Sequence, residues 1–105
     1  MNYVKINDAL YPATVRGKMV DIDWDNRESK AITLEMNHAT ASGLFVDGLA
    51  WSIVHQPEEG DAQEYDNADF CVAGDIIDHR DGTVTVKMGK LTDLEEAYEL
   101  MLGGV

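Results

Sequence analysis

Cysteine, proline and positive charge are what this chain has least of. The lone cysteine, Cys71, excludes an intramolecular disulfide framework and agrees with a reducing compartment. Eight lysines and arginines stand against 20 acids, a net charge of −12, which excludes a surface built to grip nucleic-acid backbone or anionic lipid. Long apolar runs are missing as well: Leu44-Phe45-Val46 and Leu100-Met101-Leu102 fall far short of the roughly 18 residues that a membrane helix needs. The opening MNYVKINDALYP has no basic stretch leading into an apolar one, so a cytoplasmic or virion-associated location is expected.

What is present suffices for one core. At 105 residues and 45% hydrophobic, the chain is expected to form a single domain over 1–105, without repeats or an interior linker. Its charge is uneven. Residues 1–52 carry seven acids and five bases, whereas 53–105 carry 13 acids and three bases, so the negative field belongs to the second half.

Turn signals cut the chain into short strands. Asn7-Asp8 between Tyr3–Ile6 and Ala9–Tyr11 predicts a tight hairpin, because both residues tolerate positive φ. Val15 is in phase with Met19 through Gly17, but Val20, Ile22 and Trp24 take the other parity, which predicts a bulge at Gly17. A polar turn is expected at Asp25-Asn26-Arg27-Glu28, then a half-buried strand with Ile32, Leu34 and Met36 on one side. Asn37 caps a short helix presenting Ala41, Leu44 and Phe45, although Asp47-Gly48 is also a hairpin signal.

Ala50–His55 reads as a strand, and residues 57–69, with six acids and no base, as a loop. Phe70–His79 and Thr83–Met88 pair through Asp81-Gly82. A two-residue turn turns Cys71, Ala73 and Ile77 inward, while a three-residue turn selects Phe70, Val72 and Ile76. Thr92 and Glu95 form a capping box, opening a helix whose Leu94, Tyr98, Met101 and Leu102 make an apolar stripe. That stripe is expected to cover one sheet face or a sheet edge, leaving Asp93, Glu95, Glu96 and Glu99 in solvent. The expected fold is therefore α+β: a mainly antiparallel sheet, rolled or barrel-like, of five to seven short strands, with a C-terminal helix and a short internal one.

Chemistry-bearing constellations are sparse. Asp21, Asp23 and Asp25 resemble the start of a calcium loop, but Asn26 stands where glycine is needed and Ile32 where the bidentate glutamate belongs; on a strand they form a solvated face. His38, His55, His79 and Cys71 are ingredients of a zinc site without its spacing. Neither a G-x-S-x-G elbow nor a phosphate-cradling glycine loop occurs. No catalytic residue, cofactor or metal is therefore assigned. The candidate surface is acidic: Glu58, Glu59, Asp61, Glu64, Asp66, Asp69, Glu95, Glu96 and Glu99.

Ile32–Met36, Leu44–Val54 and Asp78–Val84 resemble small uncharacterised proteins encoded in phages and prophages of Firmicutes. The resemblance implies a compact accessory or structural role and transfers no functional residue. A non-catalytic protein-interaction or assembly module is the leading expectation, with a protein partner or self-association and no direct binding of nucleic acid or membrane. An acidic mimic of DNA that inhibits a nucleic-acid-binding protein is one alternative. A metal-binding protein or metal-dependent enzyme is the other.

Overall fold

Asn7 and Asp8 both take left-handed backbone, with φ of 51° and 68°, and join strand β1 (Asn2–Ile6) to β2 (Ala9–Asp21) as a two-residue hairpin. The computed structural model describes residues 2–103. Strand β2 is shared between two halves of the sheet: Ala9–Pro12 pair with β1, and residues from Ala13 onward pair with β3 (Arg27–Glu35). Between Arg16 and Met19 the register slips, with Gly17 at a φ of 26°. This is the expected bulge.

The chain then departs from the alternation read in Val20–Trp24. Strand β2 ends at Asp21, Ile22–Trp24 form one 3-10 turn, and Asp25 and Asn26 reverse the chain with φ of 58° and 56°. Two consecutive residues that tolerate left-handed backbone stop the strand, so Asp21, Asp23 and Asp25 do not share a strand face. Arg27 and Glu28 are not turn residues but the start of β3, and Arg27 is only 4% exposed.

Helix α1 (His38–Leu44) begins as expected, the Asn37 side chain accepting the Thr40 N–H at 2.7 Å. It buries Ala41, with Phe45 buried just beyond it. Next come β4 (Ser52–His55) and β5 (Gln63–Asp66). The latter corrects the expectation of an uninterrupted loop over 57–69. Strands β6 (Val72–Asp78) and β7 (Thr83–Gly89) follow, and helix α2 (Asp93–Gly103) ends the described chain.

All pairings are antiparallel, in the order β5-β4-β1-β2-β3-β7-β6. With β5 at one edge and β6 at the other, the sheet is open and does not close into a barrel. Its inner face carries Val4, Ile6, Ile32, Leu34, Val84, Val86 and Met88, covered by Ala41, Phe45, Trp51 and Phe70. The Trp51 indole N–H donates to the Phe70 carbonyl at 2.9 Å, and the Asn67 N–H to the Trp51 carbonyl at 2.8 Å. These bonds hold the crossing from β5 to β6 over the core.

The β6–β7 hairpin has the three-residue turn Arg80-Asp81-Gly82, with the His79 N–H bonded to the Thr83 carbonyl. Ile76 lies opposite Val86, but a bulge between Ala73 and Ile76 restores Ala73 to a place opposite Met88. The inward set thus draws on both registers: Ala73 and Ile76 pack against the core while Ile77 is exposed. Asp81 accepts from both the backbone N–H and the hydroxyl of Thr83, which lowers its pKa.

Candidate interaction surface

Trp24 packs its ring against two glycines, Gly74 of β6 and Gly89 of β7. A Cβ at Gly74 would stand 2.6 Å from the Trp24 ring, and one at Gly89 would meet the ring at 2.9 Å as well as the Arg27 stem. The Arg27 guanidinium stacks 4.8 Å from the Trp24 ring centroid. Alanine at position 74 is expected to displace the indole and to lower stability by about 1–3 kcal/mol. Chemical unfolding followed by tryptophan fluorescence checks it; an unchanged midpoint would show that the ring has room to move.

This layer anchors α2. Arg27 Nη1 donates to the Lys90 carbonyl at 2.8 Å and to Glu95 Oε1 at 2.6 Å, while Nη2 reaches Glu95 Oε2 at 3.2 Å. Glu95 also completes the capping box, accepting the Thr92 N–H at 2.9 Å as the Glu95 N–H approaches the Thr92 hydroxyl at 3.3 Å. The Arg27 hydrogen bonds first, and the Thr92 N–H second, hold its carboxyl down at about 2, from an ordinary 4.5. Glu95 is thus turned toward Arg27 instead of being left to solvent.

The sign of its pH dependence follows. A depressed carboxyl contributes stability above the unfolded value and loses it as pH falls through the folded one, so the anchor persists at pH 5 and is lost between about 4.5 and 2. Carboxyl chemical shifts of Glu95 followed by NMR should show no titration above pH 4. An ordinary midpoint would mean that the Arg27 contact is absent in solution.

Beyond that first turn α2 does not cover the sheet, contrary to expectation. Leu94, Tyr98 and Met101, one stripe at i, i+4 and i+7, are 80%, 62% and 73% exposed. Leu91, Leu94, Glu95 and Tyr98 edge a shallow, mostly apolar depression. The molecule is extended: the radius of gyration is 14.7 Å, against about 13 Å for a compact chain of this size. The Arg27–Glu95 anchor fixes the helix root on the outer, Trp24 side of the sheet, so the stripe has no core to turn toward.

The nine acids of the candidate surface fall into two groups. Glu58, Glu59 and Asp61 are exposed in the connection before β5, and Glu64 and Asp66 lie on β5 itself. Glu64 accepts from Lys5 at 3.2 Å, and Asp66 caps the Ala68 N–H at 2.9 Å. Asp69 is exposed in the following turn, Glu95 is engaged by Arg27, and Glu96 is exposed on α2. The side chain of Glu99, like that of Leu102, lies outside the described residues.

The histidines sit on separate elements. His38 opens α1, the His55 ring nitrogen Nδ1 lies 2.7 Å from Asn2 Oδ1, and His79 Nε2 lies 2.7 Å from the Thr85 hydroxyl. Among the described residues, no group of three or more His, Cys, Asp or Glu is placed to hold a metal ion. No described helix is long and apolar enough to cross a membrane. Cys71 is half-buried, and its carbonyl accepts the Gly48 N–H at 2.7 Å.

Sequence reasoning identified the apolar stripe but missed Arg27, whose partner is 68 positions away. Fold and surface together define an open, seven-stranded antiparallel α+β domain with an anchored, uncovered amphipathic helix. No family model, curated protein or solved structure matches the chain.

Proposed function

We propose that the protein is a non-catalytic interaction or assembly module that docks through α2. The observation that carries this reading is the stripe of Leu94, Tyr98 and Met101, exposed on a helix whose first turn is clamped by Arg27. An amphipathic helix offers a partner anchors at i, i+4 and i+7, and a clamped root reduces the entropy lost on docking. The open edges β5 and β6 add strands that another chain could extend. The resemblance to small phage and prophage proteins points the same way, toward an accessory or structural role.

A photocrosslinking residue at position 98, in cells producing the protein, tests the reading. Protein adducts are expected from position 98, and Leu94→Ser is expected to remove them. The same probe at the exposed Glu35 is the control. Equal adducts from both positions, or none from position 98, would overturn docking through α2.

A further inference from the structure

Three of the chain's eight bases gather at one end of the sheet, although the protein as a whole is strongly acidic. Lys18 Nζ lies 3.6 Å and Lys90 Nζ 3.8 Å from the same Glu28 oxygen, Oε2. Lys30 and Lys90 stand 4.5 and 5.7 Å from the Phe70 ring centroid, so Lys90 links the acid it shares with Lys18 to the ring it shares with Lys30. Beside them Val20, which faces Glu28 in the β2–β3 ladder, is 61% exposed, and two residues on, in the 3-10 turn, Ile22 is 78% exposed. Helix α2 is the reverse: beside its apolar stripe Asp93 and Glu96 are exposed, and its last turn carries no base.

We infer that α2 seats on a second copy of this chain, its apolar stripe on Val20 and Ile22 and its exposed acids Asp93 and Glu96 toward Lys18 and Lys90. The inference rests on the reading of α2 as the docking element and names its partner. Charge complementarity selects this pairing: two α2 helices side by side would oppose acids to acids, whereas acidic helix and lysine patch attract at short range.

Within one chain the helix does not seat on this patch: Asp93, Leu94 and Glu96 border an open cleft with Glu28 and Lys90, yet Leu94 stays 80% exposed. Arg27 and Glu28 are neighbours on β3 and so point to opposite faces. Glu95 is bound to Arg27 on one face, while Glu28 collects the lysines on the other. The α2 root nevertheless lies close to the patch, because the Lys90 N–H donates to the Glu28 carbonyl at 2.8 Å. Two copies can therefore exchange helices about a two-fold axis, making the contact twice. That doubling helps a helix of eleven residues approach the roughly 1,200–2,000 Å² buried in stable interfaces.

Sedimentation equilibrium at about 0.15 M salt, where a Debye length near 8 Å damps the net repulsion between copies, tests the proposal with three forms of the full chain. Wild type is expected to dimerise. Leu94→Ser with Tyr98→Ser impairs only the helix, and Lys18→Glu with Val20→Ser only the patch; each should weaken self-association at least about tenfold. All four substituted positions are exposed, and far-ultraviolet circular dichroism verifies the fold of each variant.

An equimolar mixture of the two variants should associate more tightly than either alone, since the intact helix of one can seat on the intact patch of the other and re-form one of the two contacts. A mixture that associates no better than either variant alone, or a patch variant that dimerises like wild type, would overturn the inference. A monomeric wild type whose position 98 crosslinks to a different protein would overturn it too while leaving docking through α2 standing. A monomeric wild type with no adduct would remove both.

Discussion

Arg27→Ala is expected to lower stability by about 2–4 kcal/mol and to release α2 from the sheet. The guanidinium is buried, binds both Glu95 oxygens and the Lys90 carbonyl, and stacks on Trp24, so truncation removes four contacts and opens space beside Gly89. The figure lies below that for a fully buried ion pair because the Glu95 side chain is 41% exposed and keeps part of its hydration when its partner is lost. Hydrogen exchange should show amides 94–98 losing protection while those of β3 and β7 keep theirs. Arg27→Met, which retains an unbranched stem against Trp24, should recover much of the stability but not the protection of α2. If protection survives in both variants, α2 is held by something other than the clamp.

Trp51→Ala is expected to cost about 3–5 kcal/mol, much of the roughly 5–15 kcal/mol that holds a domain folded. Trp51 is 1% exposed and hydrogen-bonded at both ends of its reach: its indole donates to the Phe70 carbonyl, and its own carbonyl accepts from Asn67. Trp51→Phe keeps most of the ring but leaves the buried Phe70 carbonyl without its donor, a loss of about 1–3 kcal/mol. Urea midpoints should therefore order wild type above the phenylalanine variant and that above the alanine variant. Equal midpoints for phenylalanine and wild type would show that the indole hydrogen bond contributes nothing net.

Features written in neighbouring residues were legible beforehand. The Asn7-Asp8 hairpin, the Gly17 bulge, the Asn37 cap and the Thr92–Glu95 box each need only a few consecutive side chains and a backbone preference. Strand β5 was not legible because Gln63–Asp66 are exposed throughout, so no apolar alternation marks them; backbone pairing with β4 makes the strand. The 3-10 turn at Ile22–Trp24 was hidden by an alternation that continues past the end of β2. Arg27 looked like a surface residue because its burial depends on Trp24, Gly89 and Glu95, which only the folded chain brings together. The α2 stripe was visible in its spacing, but a stripe reads the same whether a sheet covers it or not.

The pairing order also governs how this chain is made. Strand β3 has β2 beside it as soon as both are synthesised, but its other neighbour is β7, so Ile32 waits for Val86 and Leu34 for Val84. Strand β1 likewise waits for β4 to bring Ile53 opposite Val4. During translation the β1–β2–β3 meander therefore leaves the ribosome with both edges bare and its apolar face uncovered. Such non-local pairing slows folding, and bare edges invite the wrong neighbour. The first three strands are accordingly the segment most exposed to chaperone capture or misassembly until residues 83–89 emerge.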